Sequence, residues 1–270
     1  MSGQAQLLET RRAFDSVADF YDGPFGNNEI VQRMRAALVK ELTARVSPGA
    51  RLLDLGCGTG IDAAHLAGLG YRVVAIDASP QMVARTRARA EEEGLTQRVT
   101  AVELGIEALD RLSGEAFDAI YSDLGALNCV PDLPTVATRC AALLDAGGVL
   151  VASVIGRVCP WELGYYSARG DLRRAVIRLT PRAVPVGLNG STVWTRYYRP
   201  KEFLDAFRGS FAPEATRALG LFSPPPYLVG FNRRLPWAGR GLWWLDARLG
   251  GFPLLRNAGD HFLMVLRKHE

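Results

Sequence analysis

The sequence contains few of the residues that hold metals or cross-link small domains. It has four cysteines and three histidines among 270 residues, and no two cysteines form a CxxC pair. Zinc sites need clustered cysteine and histidine ligands, and disulfide frameworks are typical of much shorter secreted chains; Cys57 also lies in a glycine-rich loop, where a disulfide is not expected. We therefore expect no bound metal, no disulfide framework and a reducing compartment.

Long apolar runs are also lacking. No segment approaches the ~20 uninterrupted apolar residues that cross a bilayer, and the first residues lack the charged and apolar regions of a signal peptide. Hydrophobic residues nevertheless make up 48% of the chain, which is enough for a large core. These features predict a cytoplasmic protein with one enlarged domain.

The most informative segment is a short apolar run that ends in an acid and then turns through glycines. Leu52-Leu53-Asp54-Leu55 leads into Gly56-Cys57-Gly58-Thr59-Gly60 and then into a predicted helix over residues 61–68. Glycine lets the backbone turn tightly and lets a ligand approach it, and a helix N-terminus presents unpaired N–H groups. The segment predicts a ligand-binding turn whose carboxylate suits a cationic ligand.

Further apolar strands end in candidate binding residues. The strand over residues 71–76 ends at Asp77, whose carboxylate can accept both hydroxyls of a ribose, while Ser79 can cap the following helix. The next two strands, over residues 98–103 and 117–121, are followed by Gly105, Ile106, Glu107, Ser122, Asp123 and Leu124. Helix–strand alternation from about residue 46 to residue 154 predicts a doubly wound α/β sheet, which binds ligands at the carboxyl ends of its strands.

These motifs resemble those of the class I S-adenosylmethionine-dependent methyltransferases of small-molecule type. The tight Gly56-x-Gly58-x-Gly60 spacing and Asp77, 23 residues after Asp54, carry the resemblance together with the segment 117–128. It implies a Rossmann-like seven-stranded sheet with a hairpin-like last pair, whose final strand covers residues 261–267. It also implies S-adenosyl-L-methionine as the cofactor, bound by Tyr21, Asp54, Gly56, Cys57, Gly58, Gly60, Asp77, Ala78, Met82, Gly105, Ile106, Glu107, Ser122, Asp123 and Leu124.

The chain departs from the family pattern in its third motif. Gly105 stands where relatives often carry an aspartate that accepts the adenine amino group. The resemblance leaves Ile106 to supply a backbone donor and an apolar edge. Glu107 either replaces the missing acid or is a solvated residue in the first turn of a helix.

Residues 1–45 are predicted to form a helical gate segment before the cofactor-binding core of residues 46–156. The run Phe14-Asp15-Ser16-Val17-Ala18-Asp19-Phe20-Tyr21-Asp22 resembles the F-D-x-x-A-x-x-Y-D pattern of many small-molecule methyltransferases. There the tyrosine gates the methionine end of the cofactor. The same apolar spacing is also that of a helix packed on a sheet, and the two roles are compatible.

The two halves of the chain differ in charge and in aromatic content. Residues 1–155 hold 14 Lys and Arg against 20 Asp and Glu, whereas residues 156–270 hold 18 against 8 and all five tryptophans. The second half, 157–270, is therefore predicted to be the substrate side. Its segments 157–195 and 223–259 are expected to cap the strand ends and to bind the acceptor through Tyr165, Tyr166, Arg233 and Arg234.

Arginine with tryptophan and tyrosine fits several partners, and the sequence leaves them open. Guanidinium groups clamp anionic small molecules, and tryptophans with basic residues suit an anionic membrane surface. RNA is disfavoured because no RNA-binding module or dense basic run is visible. The alternative is that these residues bind no partner: the tryptophans fill the core, and the arginines lie on the solvated surface above it.

The predicted reaction is methyl transfer to O or N of a small or lipid-like acceptor. A sulfonium is already an activated electrophile, so alignment matters most and a base is needed only if the acceptor must lose a proton. Asp123 and His261 are the candidate catalytic bases, with Tyr21 a weaker one. Rival hypotheses are a non-catalytic module that holds the cofactor, an RNA methyltransferase and a nicotinamide-dependent oxidoreductase, although the glycine spacing disfavours the last.

Overall fold

The computed structural model describes residues 2–23 and 26–269, and a large mixed sheet lies at its centre. The strands are β1 (Arg51–Leu55), β2 (Arg72–Asp77), β3 (Val99–Glu103), β4 (Phe117–Ser122), β5 (Leu144–Ile155), β6 (Val184–Leu188), β7 (Ser191–Thr195), β8 (Phe211–Leu219) and β9 (His261–Lys268). The helices are α1 (Gly3–Asp15), α2 (Glu29–Thr43), α3 (Ile61–Gly68), α4 (Pro80–Glu92), α5 (Leu133–Leu143), α6 (Pro160–Ser167), α7 (Leu172–Val176), α8 (Pro200–Phe207), α9 (Gly230–Arg234) and α10 (Pro236–Leu249).

Seven of the strands form one sheet in the order β3-β2-β1-β4-β5-β9-β8. β1 to β5 are parallel, and β9 runs antiparallel to both β5 and β8. The chain order reverses between β1 and β4, and the crevice at such a switch point is where open α/β sheets bind ligands. The doubly wound seven-stranded sheet and its final strand are thus confirmed.

Helices cover both faces of this sheet. Successive side chains of a strand point to opposite faces, so Leu52 packs in one core cluster with Leu38 of α2 and Leu66 of α3. Leu53 packs in a second cluster with residues of α5 and α8, among them Phe203. All of these side chains are fully buried. Because helices cover both faces, a ligand can reach the sheet only at the carboxyl ends of its strands.

Capping side chains explain several helix bounds. Asn28 accepts the N–H groups of Ile30 and Val31 at the start of α2, and Ser79 accepts that of Met82 in α4, as predicted. α3 has the predicted bounds. β8 ends at Leu219 because Gly220 turns away with a positive φ of 65°. α7 ends at Val176 and continues as a 3₁₀ turn.

The first predicted cap segment, residues 157–195, reaches the N-terminal helix. It contains α6, α7 and the β6–β7 hairpin. The backbone N–H of Trp194 in β7 donates to Thr10 of α1 at 3.0 Å, and the Trp194 indole N–H donates to Glu9 at 2.7 Å. The hairpin and α1 therefore stand together beside the carboxyl edge of the sheet.

The second predicted cap segment, residues 223–259, lies along the β8 edge instead. The N–H of Ala218 in β8 donates to the carbonyl of Gly250 at 2.8 Å. Trp243 of α10 lies under the guanidinium of Arg33 in α2, 3.3 Å from the ring centroid. Residues 223–259 thus pack against α2 and the carboxyl end of β8, the outermost strand on the side of the sheet away from β1 and β2.

Candidate active site

The principal cavity, of about 840 Å³, lies at the carboxyl edge of the sheet. Its walls come from the ends of β1, β2 and β4, from α1 and from β7. Most of the predicted cofactor residues line it together, namely Tyr21, Asp54, Gly56, Cys57, Gly58, Asp77, Ala78, Met82, Gly105, Ile106, Glu107, Asp123 and Leu124. Their contact with S-adenosylmethionine stays a prediction.

The glycine turn after β1 needs glycine for two different reasons. Gly56, Gly58 and Gly60 all have positive φ, a region that side chains disfavour. A Cβ on Gly56 would lie 2.5 Å from that of Ala126, and one on Gly60 would lie 2.7 Å from Thr86, so these two positions are also packed. A Cβ built on Gly58 would have no atom within 4 Å among the described residues other than Gly58 itself and its two chain neighbours. The backbone at Gly58 is thus open to a ligand in the cavity.

Asp77 connects the loop that follows β1 with the loop that follows β2. Its Oδ2 accepts the N–H of Gly58 at 2.9 Å and its Oδ1 accepts the N–H of Ser79 at 2.8 Å. Burial raises the pKa of this carboxyl, and the two backbone donors oppose the rise. Each oxygen of a carboxylate has a further lone pair, so Asp77 can still accept hydroxyl groups from a ligand.

The glycine in the third motif makes room for a carboxylate. A Cβ on Gly105 would lie 2.2 Å from Oε1 of Glu107, so the Glu107 carboxylate occupies the space that an aspartate at 105 would need. Arg139 donates to the Glu107 backbone carbonyl. Both positions line the cavity. Glu107 is nevertheless exposed, so both readings, the replacement acid and the solvated first-turn residue, stay predictions.

The N-terminal gate segment is fastened to the glycine turn. Asp22 accepts a hydrogen bond from the hydroxyl of Thr59 and pairs with Arg89 of α4. Tyr21 therefore comes to lie on the cavity wall, where burial raises the pKa of its phenol. A neutral phenol at this wall agrees with the predicted gate.

Three carboxylates and one guanidinium lie together on the cavity wall. Asp62 in the first turn of α3 pairs with Arg35 of α2, and Asp54 accepts a hydrogen bond from the Tyr121 hydroxyl at 2.9 Å. Burial, and next the Asp62 charge, raise the pKa of Asp54 well above its usual value. Burial and the Asp123 charge raise the pKa of Asp62 to about 7, against the pull of Arg35.

Asp123 presents an oxygen without a partner. Its Oδ1 accepts the N–H of Leu124 at 2.8 Å, whereas its buried Oδ2 has no hydrogen bond and the residue is only 8% exposed. Leu124 has φ +49°, which a branched side chain rarely adopts. Buried polar atoms are normally satisfied, so the free oxygen and the strained turn mark Asp123 as a functional position.

The other predicted base, His261, does not reach the cavity. Its Nδ1 lies 2.9 Å from Oδ2 of Asp260, whose Oδ1 accepts from Arg178 at 2.9 Å. Arg178 also pairs with Glu162, and Tyr227 donates to the same glutamate at 2.8 Å. His261 thus belongs to a buried ionic network that joins the second-half segments to β9, and its absence from the cavity lining gives no support to a role as catalytic base.

Several further predicted residues lie away from the cavity lining. Tyr165 stacks under Arg169, and Tyr166 packs on Tyr165. Arg233 and Arg234 are exposed on α9. Direct acceptor binding by these four residues finds no support because none lines the cavity. Two predicted cofactor residues stand behind the wall: Ser122 donates to the Leu55 carbonyl at 2.9 Å, and Gly60 packs on Thr86.

Sequence reasoning missed part of the cavity. Arg35 and Asp62 belong to it, as do residues of α1 and β7, among them Leu7, Leu8, Arg11, Val193 and Thr195. An acid in the first turn of a helix is ordinarily explained by the helix dipole, so Asp62 gave no separate signal. The pairing of α1 with β7 joins residues 184 positions apart, which no local pattern encodes.

Comparison with known proteins agrees with this geometry. A family described as a methyltransferase domain matches residues 52–148. The ubiquinone biosynthesis O-methyltransferase of Xylella fastidiosa is 32% identical over 196 residues, which are 70% of this chain and 72% of that protein. The enzyme of the same name from Cereibacter sphaeroides is 29% identical over 209 residues, covering 76% and 77%.

Solved structures share the fold at lower identity. The CcbJ methyltransferase of Streptomyces caelestis superposes with a TM-score of 0.64 at 18% identity, covering 97% of this chain and 99% of that one. The 1,6-didemethyltoxoflavin-N1-methyltransferase of Burkholderia thailandensis, with S-adenosylhomocysteine bound, gives 0.61 at 20% identity, covering 100% and 92%.

Proposed function

This chain belongs to the class I S-adenosylmethionine-dependent methyltransferases, and we propose that it methylates an oxygen or nitrogen of a small acceptor held in the same cavity as the cofactor. One observation carries the proposal. A single cavity joins the open glycine turn and Asp77 to a wall built by α1 and β7. Its volume is near the upper end of the ~300–1,000 Å³ of ligand pockets.

The residues present fit the cofactor. Gly58 leaves open space beside the glycine turn, Asp77 keeps lone pairs at the tip of β2, and Glu107 fills the space over Gly105. Asp77 would hold the ribose hydroxyls, and Ile106 and Glu107 would hold the adenine edge. When bound, S-adenosylmethionine supplies a methyl group on a positively charged sulfur.

The acceptor is proposed to lie against α1 and β7. Leu7 and Leu8 of α1 and Val193 of β7 supply apolar wall, and Thr195 and Cys129 border it. The apolar part of this wall favours the lipid-like acceptor, because burying an unpaired charge is costly, while Arg11 on the same wall is already paired with Glu103. The relatives named ubiquinone biosynthesis O-methyltransferases favour oxygen as the methylated atom.

Asp123 is the proposed proton acceptor for that oxygen. Its free Oδ2 faces no protein donor, and it lines the cavity between the glycine turn and β7. A positioned carboxylate within hydrogen-bond reach of an acceptor hydroxyl can take its proton as the new bond forms. The strained Leu124 backbone holds that carboxylate in place.

A substitution in the acceptor wall tests this arrangement. Val193→Phe adds bulk to a nearly buried position on β7, so it should raise the acceptor KM severalfold and leave cofactor affinity within about twofold. Val184→Phe, on β6 of the same hairpin and outside the cavity lining, is the matched control. Loss of cofactor affinity in Val193→Phe with an unchanged acceptor KM would contradict the proposed division of the cavity.

We further propose that the protein is cytoplasmic and docks on anionic membranes through α10. Trp237, Arg240, Trp244 and Arg248 are three or four residues apart and so share one stripe of this helix. Trp237 is 71% exposed and Trp244 57%. No helix of residues 2–23 and 26–269 is long and apolar enough to cross a bilayer.

The charge around this stripe suits an anionic surface. Residues 223–259 contain five arginines and a single acid, Asp246. The Asp246 carboxylate is occupied by the backbone N–H groups of Leu221, Phe222 and Ser223. Exposed tryptophans at headgroup level with arginines around them are typical of interfacial helices, and each basic residue adds about 1 kcal/mol near an anionic leaflet.

Vesicle sedimentation tests the docking surface. The protein should sediment with phosphatidylglycerol vesicles and stay in solution with phosphatidylcholine vesicles. Trp237→Ala/Trp244→Ala should lose sedimentation, whereas Leu172→Ala, which removes an exposed apolar side chain outside α10, should keep it. Equal sedimentation of both variants would contradict docking through α10.

A further inference from the structure

The charged cluster on the cavity wall holds more acidic than basic groups. Asp54, Asp62 and Asp123 come from β1, α3 and the end of β4, and they share one cation, Arg35, whose guanidinium pairs with Asp62. All three carboxyls are more than nine-tenths buried. If every group were ionised, this corner of the cavity would carry two uncompensated negative charges, which burial strongly disfavours.

The other titratable groups that face the cluster do not supply the missing charge. Tyr21 and Tyr121 are phenols whose pKa is raised chiefly by burial. Cys57 is a thiol whose pKa is raised well above its usual value by burial and next by Asp77, and burial raises that of Cys129 to about 12. These groups are neutral at pH 7, and Asp77 adds a further acid. The cluster can lower its charge by keeping a proton or by binding a cation.

A second observation points to a bound cation. Oδ2 of Asp123 is buried on the cavity wall without a hydrogen-bond partner, and so is Nε of Arg35. Buried polar atoms are rarely left unsatisfied. The amino-acid group of a ligand would supply both missing partners. Its ammonium group can donate to Oδ2 of Asp123, and its carboxylate can accept from Nε of Arg35.

We propose that Asp54, Asp62 and Asp123 share a proton in the empty protein and release it when the cationic methionine end of S-adenosylmethionine enters the cluster. Cofactor binding is then linked to proton release. The proposal goes beyond the proposed function because it concerns cofactor binding alone, whatever the acceptor.

The direction of the linkage follows from the carboxyl groups. The pKa of Asp62 is raised to about 7 in the empty protein, and a nearby positive charge favours the ionised form. Binding should release roughly half a proton near pH 7 and more near pH 6, where the ammonium group of the ligand is fully protonated, because the release equals the change in bound protons. Affinity should accordingly rise with pH below about pH 7, by at most about tenfold per pH unit.

Calorimetry on the wild-type protein tests the proposal. Titrations in phosphate and in Tris at pH 7, whose ionisation enthalpies differ, give the number of protons released. S-adenosylmethionine should release protons, whereas 5′-methylthioadenosine, which keeps the adenosine and the sulfur but lacks both positive charges, should release none. Equal release by both ligands, or none by S-adenosylmethionine, would overturn the proposal. Failure of S-adenosylmethionine to bind at any pH would instead overturn the cofactor assignment.

A variant locates the proton. Asp62→Asn should abolish the release and flatten the pH dependence of cofactor affinity between pH 6 and pH 8. Glu115→Gln, which changes an exposed carboxylate paired with Arg51, should behave as wild type. Should Asp62→Asn fail to fold, Asp123→Asn tests the same cluster. Undiminished release in a folded variant of either residue would contradict a proton shared by the cluster.

Discussion

Replacing Asp77 with alanine should weaken cofactor binding more than any exposed substitution near the cavity. Asp77→Ala removes the proposed acceptor for the ribose hydroxyls. It also frees the N–H groups of Gly58 and Ser79, which Asp77 holds at 2.9 and 2.8 Å. The glycine turn would then lose its hydrogen bond to the loop that follows β2, so the loop that binds the cofactor would become less ordered. We expect a higher Kd for S-adenosylmethionine by isothermal titration calorimetry.

The size of the effect follows from the groups left unpaired. Each buried donor or acceptor without a partner costs about 1–3 kcal/mol. Binding should therefore weaken by about 1–3 kcal/mol, or roughly fivefold to 150-fold. Glu115→Gln is the control, because this exposed acid pairs with Arg51 and lies outside the cavity lining. Unchanged affinity in Asp77→Ala, or an equal loss in Glu115→Gln, would refute ribose recognition by Asp77.

Three further predictions concern stability and metal dependence. Arg178→Ala should lower the free energy of unfolding in urea by about 3–5 kcal/mol, because it leaves the buried acids of its network unpaired, whereas Arg174→Ala, an exposed residue, should change it by less than about 0.5 kcal/mol. The free protein should melt at a lower temperature at pH 8 than at pH 6, because folded Asp62, with a pKa of about 7, keeps a proton that the unfolded chain has already lost; a higher melting temperature at pH 8 would contradict the raised pKa. Methyl transfer should survive exhaustive EDTA treatment, since no group of three His, Cys, Asp or Glu side chains in the described ranges is arranged so that it could hold a metal ion, and abolition with rescue by Mg²⁺ or Zn²⁺ would show a metal requirement.

The parts of the site that the sequence predicted are those encoded by local motifs. The glycine turn and Asp77 each follow an apolar strand at a spacing that strand, helix and strand must satisfy. Parallel strands then bring these loops to one edge of the sheet without further information. The seven-stranded fold followed in the same way from alternation of elements and from the family resemblance.

The parts that the sequence missed depend on contacts between distant segments. Arg35 and Asp62 meet only because α2 packs beside α3. His261 seemed free because its partners, Asp260 and Arg178, form a network only in the folded chain. Composition showed that the second half is basic and rich in tryptophan, but composition does not say where a segment packs in the folded protein. It could not tell that residues 223–259 lie against β8 instead of over the cavity.

The central claim is that this cavity transfers a methyl group to a small molecule, and one measurement tests it most directly. The protein is incubated with methyl-labelled S-adenosylmethionine and a cell extract, and the label is followed into low-mass organic-soluble, RNA and protein fractions. We expect label in the organic-soluble fraction, and much less of it with Asp77→Ala at the same cofactor concentration. Label confined to RNA or protein, or no transfer despite tight cofactor binding, would contradict it.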